Sequence, residues 1–267
     1  MSDITRYNTP GLMRYARLTR DFLRRLPEMP SAYLHPWRRE SIRKLNALKD
    51  SHKGERCFVV GNGPSLNVTD LSKLQNEFSI GTNRIFLAKE ELGFSPTVLL
   101  SVNNLVVEQS ARELEALDMP KFFSWRCREW ISMDSNTHFL YTSYFTPGFA
   151  KNVSGRVWEG GTVTNVALQL AYHLGFKHVV LIGVDHNYVD KGKPNSTVES
   201  QGPDPNHFSK DYFGKGFKWQ LPDLETWEDG YRIVRQAYEA DSREVLDATI
   251  GGKLQVFKKI DYDSLWL

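Results

Sequence analysis

The chain has 267 residues, 40% hydrophobic and 12% aromatic, enough apolar material for one sizeable core with appendages. Its two cysteines, Cys57 and Cys127, lack Cys-x-x-Cys spacing, so neither a disulfide framework nor a cysteine zinc site is supported. A formal net charge of +2 conceals an asymmetry: residues 1–53 hold 12 Lys/Arg against 5 Asp/Glu, and the remainder is net acidic.

The basic segment comes first. In "GLMRYARLTRDFLRRL", Leu12, Tyr15, Ala16, Leu18, Phe22 and Leu23 alternate with Arg14, Arg17, Arg20, Arg24 and Arg25, which predicts a basic amphipathic helix. A second basic helix is expected over Trp37 to Leu48. Such helices suit packing on the body, pairing in a homo-oligomer, or peripheral contact with an anionic membrane. No recognised binding module accompanies the charge, so nucleic acid is not expected. No run of about 18 uncharged apolar residues occurs, and the start lacks the succession of a secretory signal. A cytoplasmic protein is expected, at most peripheral at the inner face of the membrane.

From Glu55 the pattern changes. Apolar runs "RCFVVG", "FSIGTN", "TVLLSVN", "KFFSW", "HFLY" and "HVVLIGVD" alternate with polar or helical stretches, the rhythm of strands joined by crossovers. In "GGTVTNVALQLAYHLGFKHVVLIGVD" the apolar positions from Val163 to Leu174 recur at helical spacing, Thr162 suits the start and Gly175 the end. Val179 to Ile182 then read as a strand buried on both faces. Later come a helix near Trp227 to Asp241 and a strand "EVLDAT". The fold class predicted is α/β: a doubly wound, Rossmann-like, mostly parallel sheet with helices on both faces, plus a basic helical N-terminal extension. The extension covers residues 1–53 and the nucleotide-binding catalytic domain residues 54–267. Residues 187–222, rich in Gly, Pro, Asn and Asp with interleaved aromatics, are too long for an idle connection and are expected to form a lid.

Polar residues collect at the predicted strand ends, where open parallel sheets bind ligands. After the first strand, Gly61 and Gly63 let a ligand approach the backbone, and the amides of that turn with the Ser65 hydroxyl suit phosphate oxygens. Asn62, Asn83 and Asn103 each combine a donor with an acceptor, the pairing needed to read a base or ribose, so a nucleotide fits better than phosphate alone. Gly161 and Thr162 precede a helix whose N-terminus suits an anionic group. Asp185 and His186 close the "GVDH" strand end, where His186 could orient an acceptor or bind metal. The turn lacks the third glycine of a dinucleotide fingerprint and the Gly-Lys-Ser/Thr of a Walker loop.

"VVGNGPSL", "GTN", "SVN", "GGTVTNVALQLAYHLGFKHVVLIGVDHNY" and "PNHFSKDYFGKGFKWQLPDLE" together resemble bacterial members of the 6-hydroxymethylpterin diphosphokinase-like (MptE-like) family over roughly residues 37–265. More distantly, the same skeleton is similar to bacterial CMP-sialic acid-dependent sialyltransferases. The resemblance implies that Asn62, Gly63 and Ser65 hold the phosphate and ribose region, with Asn83 and Asn103 near ribose or base and Gly161 and Thr162 contacting nucleotide. It also implies a catalytic His207, matching the general base that follows the "GxD" strand in the sialyltransferases. Lys210, Lys215, Lys218 and Arg84 are expected to support the departing phosphate.

Three functions stay open. One is a glycosyltransferase taking a sialic-acid-like, Kdo-like or other ulosonic sugar from a CMP donor to a glycan or lipid-linked acceptor, with no cofactor required. The second is an ATP- and magnesium-dependent diphosphokinase acting on a pterin-like alcohol, with Asp185, Asp204 and Asp211 as candidate magnesium ligands. The third is a nucleotide-binding module without catalysis. No paired metal motif such as Asp-x-Asp stands near a strand end, which favours the first.

Overall fold

The computed structural model describes residues 11–189 and 192–266. The first ten residues of the basic extension and residues 190–191 of the long segment lie outside the described residues, as do the side chains of residues 11–14 and 17.

Three helices open the fold: α1 (Gly11–Arg25), α2 (Met29–Leu34) and α3 (Pro36–Leu48). A nine-stranded sheet follows, built from β1 (Arg56–Val60), β2 (Phe78–Thr82), β3 (Val98–Ser101), β4 (Lys121–Ser124), β5 (Thr137–Ser143), β6 (Arg156–Trp158) and β7 (His178–Ile182). After β7 a small antiparallel pair, β8 (Thr197–Glu199) and β9 (Lys218–Gln220), stands apart, and β10 (Glu244–Asp247) and β11 (Lys258–Lys259) complete the sheet. Short helices α4 (Ala88–Glu91), α5 (Asn104–Gln109) and α6 (Ala111–Glu115) join the early strands, and α7 (Val163–Leu174) and α8 (Leu224–Ala240) the later ones.

The strand order is β11-β10-β7-β1-β2-β3-β4-β5-β6, with every pairing in this sheet parallel. The chain therefore winds outward from β1 to β6, returns to place β7 on the other side of β1, and continues through β10 to β11. Between β1 and β7 the winding reverses, which makes their carboxyl ends a topological switch point. Alternation along β1 divides the core: Cys57 and Val59 face the layer of α7 and α8, while Phe58 and Val60 face the layer that includes Leu66, Phe208 and Tyr212.

Helix α7 forms as its sequence predicts. The Thr162 side chain accepts from the Thr164 N–H at its start, and Gly175 ends it at φ 101°, a left-handed conformation that glycine adopts without strain. Helix α3 is part of the body. Arg38 is fully buried and donates to the Ser154 carbonyl at 2.6 Å, and burial lowers its pKa to about 10. Ser41 Oγ accepts from the Phe139 N–H at 2.9 Å, so the second basic stretch packs against the β5 edge region. Strands β6, β8, β9 and β11 carry no signal long enough to read in sequence; each is two or three residues long.

Candidate functional site

The two switch-point loops bind one another before they bind anything else. Gly61 N–H donates to Ile182 at 2.9 Å and Gly63 N–H to Gly183 at 2.8 Å. A Cβ on Gly61 would lie 2.8 Å from the Gly183 carbonyl carbon, and one on Gly63 would intrude on the Asp185 carboxylate. Both glycines are thus also required by the protein's own packing. Ser65 is engaged by the protein as well. Its N–H and Oγ both donate to Asp185, at 3.0 and 2.7 Å, so the hydroxyl set aside for phosphate instead braces a carboxylate and is not among the lining residues. Burial raises the pKa of that carboxyl above the usual range, against the lowering effect of the two Ser65 bonds.

Above this brace lies an open cleft of about 960 Å³, counted out into solvent, in which Gly61, Asn62, Gly63, Asn83, Asn103, Gly161, Thr162, Asp185, His186 and His207 meet. The strand-end residues singled out from sequence therefore share one cavity, Ser65 excepted. Several have local duties. Asn103 Oδ1 caps α5 by accepting from Leu105 and Val106. Asn83 takes the left-handed φ of 51° and accepts from Ser101 Oγ at 3.1 Å. Asn62 Nδ2 donates to the carbonyl and hydroxyl of Thr82, each at 3.0 Å.

The long segment packs over the rim. Phe208 N–H donates to the Asn62 carbonyl at 2.9 Å, and Asn67 Nδ2 returns a bond to the Phe208 carbonyl. Arg84, expected at the phosphate, instead donates to the carbonyls of Asp211 and Tyr212 and lies 5.0 Å from the Phe217 ring. Lys210, Lys215 and Lys218 are exposed and line nothing here. No Lys or Arg is among the described residues that line the cleft.

Within the segment, His207 Nδ1 lies 2.8 Å from Asp204 Oδ2. An ionised carboxylate can only accept, so in the neutral ring Nδ1 carries the proton and Nε2 keeps its lone pair. Asp204 is buried, and the imidazole stacks on Tyr212 at 3.8 Å and 9°. The same logic applies to His186. Its Nε2 meets Glu228 at 3.2 Å, leaving Nδ1 as an acceptor that is buried without a partner, and burial lowers its pKa. Asn62 Oδ1 and Trp227 Nε1 are likewise buried and unpartnered. Two acceptors and one donor on lining side chains thus await hydrogen bonds, a demand that buried polar groups rarely leave unmet.

Asp185, Asp204 and Asp211 do not assemble into a magnesium site. The first is engaged by Ser65, the second by His207 and the Asn206 N–H, and the third is exposed. Among the described residues, no group of three His, Cys, Asp or Glu is placed to hold a metal ion. Helix α8 adds Trp227 and Tyr231 to the cleft, two residues not expected there from sequence. Their i, i+4 spacing was the available signal.

A family model described as 6-hydroxymethylpterin diphosphokinase MptE-like matches residues 36–191. No curated protein matches the chain. Among solved structures, that of the MAf glycosyltransferase from Magnetospirillum magneticum AMB-1 is similar, with 18% identity and a TM-score of 0.50 over 98% of this chain. The present chain spans 43% of that protein. The likeness is one of fold.

Proposed function

The chain belongs to the MptE-like family, and from that premise we propose that it is a transferase moving an ulosonic sugar from a CMP-linked donor to a glycan or lipid-linked acceptor. The observation that carries this reading is the Asp204–His207 pair on a segment folded over the cleft where the strand ends meet. With Nδ1–H held by Asp204, Nε2 is the basic nitrogen available to take the proton of an acceptor hydroxyl as its oxygen bonds to the anomeric carbon. The anomeric carbon–oxygen bond to phosphate breaks in the same transfer, and CMP departs with the electron pair.

Two further features support the donor class. A lining without Lys or Arg suits a CMP-linked ulosonic sugar, whose phosphodiester and carboxylate carry two charges in all, better than a triphosphate, which carries more and relies on cations for neutralisation. The unpartnered acceptors Asn62 Oδ1 and His186 Nδ1 match a ligand rich in hydroxyl or amino groups, because a bare phosphate has no donors to offer them. The structurally similar protein is described as a glycosyltransferase, in agreement with this reading. Pyrophosphoryl transfer from ATP, the reading suggested by the family description, lacks a carboxylate set for magnesium among the described residues.

The test pairs binding with turnover. CMP without magnesium is expected to raise the melting temperature. His207→Ala abolishes CMP release from a CMP-ulosonic acid donor with CMP affinity kept, and Asp204→Asn slows it by about 10²- to 10⁴-fold. A shift produced only by ATP with magnesium, or an equal loss of binding and turnover in His207→Ala, refutes the proposal.

A further inference from the structure

A second recess opens on the same rim, over the carboxyl ends of β4 and β5. It measures about 610 Å³, counted out into solvent, and is lined in part by Trp125, Arg126, Tyr141 and Thr142. Helix α5 stands between it and the cleft. That helix packs against β9, whose Trp219 and Gln220 line the cleft, and against the turn 125–129 that borders the recess. Asn103 lines one cavity and its chain neighbour Asn104 the other. Adjacent strands stand about 4.8 Å apart, so the ends of β4 and β5 lie roughly 5–10 Å along the rim from that of β3.

Most polar groups of the recess are engaged. Arg126 donates to the Thr142 carbonyl at 3.1 Å and pairs with the buried Glu159. Arg128 donates to the Trp125 carbonyl at 2.9 Å, its guanidinium 4.6 Å from that ring's centre, and the Trp125 indole N–H donates to Ser31 Oγ at 3.1 Å. Two atoms are not engaged. Tyr141 is 2% exposed, yet its hydroxyl has no hydrogen-bond partner, and neither has the buried Arg126 Nε. Both call for oxygen atoms brought from outside the chain. The surrounding charges narrow the kind of ligand. Glu28, Glu129 and Glu159 stand against Arg126 and Arg128, so an oxyanion would meet three carboxylates and a cation two guanidiniums. A neutral polyhydroxyl ligand suits both signs, because each hydroxyl can donate to a carboxylate and accept from a guanidinium or phenol. Trp125, Trp130 and Tyr141 supply aromatic surface for its carbon face.

We propose that this recess is a saccharide subsite, which holds an uncharged part of the acceptor glycan while the reactive hydroxyl reaches His207. The acceptor role rests on the proposed transfer, whereas saccharide binding at the recess does not.

The experiment is saturation-transfer difference NMR of the full chain with a panel of methyl hexopyranosides and methyl N-acetylhexosaminides, with and without CMP. Transfer to at least one glycoside is expected, kept when CMP is present and undiminished by inorganic phosphate. Tyr141→Phe, which removes only the hydroxyl, weakens binding of that glycoside by about threefold to tenfold. Trp130→Ala weakens it at least as much, and the CMP-induced thermal shift stays that of the parent in both variants. No transfer to any glycoside, transfer indifferent to both substitutions, or displacement by phosphate overturns the subsite. Transfer that Tyr141→Phe weakens, in a protein that CMP does not stabilise, refutes the donor reading and leaves the saccharide site standing.

Discussion

Gly63→Ala puts a number on the packing of the switch point. Gly63 has φ −69°, so alanine fits the backbone there and by itself would stabilise by about 0.4–1 kcal/mol through the unfolded chain. The added Cβ, however, would lie 3.0 Å from Asp185 Cβ and closer still to its carboxylate. That carboxylate has to swing out, giving up the bonds from Ser65 N–H and Oγ. Hydrogen bonds to a charged group contribute about 1.5–3 kcal/mol each when buried, and Asp185 is only half-buried, so the lower value applies. Adding about 1–3 kcal/mol for overpacking gives a net loss of about 4 kcal/mol, or about 8–14 °C in melting temperature for a chain of this size. Gly148→Ala is the control, since nothing lies within 4 Å of its Cβ position. Differential scanning calorimetry of the two variants decides it. If Gly63→Ala melts within about 2 °C of Gly148→Ala, the packing account of this glycine is wrong. Asp185→Ala added to Gly63→Ala should cost less than the sum of the two, because both act on the same pair.

Stability should fall on mild acidification. His138, His173 and His186 are buried with pKa values lowered from 6.5, chiefly by burial. The unfolded chain therefore binds more protons below about pH 6.5, and each histidine contributes a slope of up to about 1.4 kcal/mol per pH unit until its folded pKa is passed. Asp185, with its raised pKa, acts with the opposite sign, but only in the carboxylate range. Equal melting temperatures at pH 7.5 and 5.5 would contradict this. Arg84→Ala should loosen residues 200–217, because it removes the donor to the Asp211 and Tyr212 carbonyls. Hydrogen exchange there should quicken with only a small change in global melting, and unaltered protection would show that Arg84 is not the clasp.

The layered fold was legible because parallel strands buried on both faces leave continuous apolar runs such as Val179 to Ile182, and because Thr162 and Gly175 mark helix ends by local chemistry. The gathering of Asn62, Asn83 and Asn103 followed from parallelism alone: if every strand runs one way, every strand end shares a rim. What stayed hidden was which groups were already committed. Ser65 and Arg84 have side chains suited to phosphate, yet each is engaged by a partner 120 or more residues away, and no local pattern encodes such a distance. Asp204 was noticed as a carboxylate, but its pairing with His207 depends on the shape of a turn. Which face of α1 meets the body, where Asp21 alone of its described side chains is buried, was unreadable for the same reason: amphipathicity names two faces without choosing between them.

Because the Phe208 N–H donates to the Asn62 carbonyl, its chain neighbour His207 is tied to the turn that follows β1. Under the proposed function, a ligand that displaces Asn62 would displace the histidine two bonds of chain away as well. A substitution at Asn62 that appears to alter affinity alone should, under single-turnover conditions, also displace the rate of the chemical step.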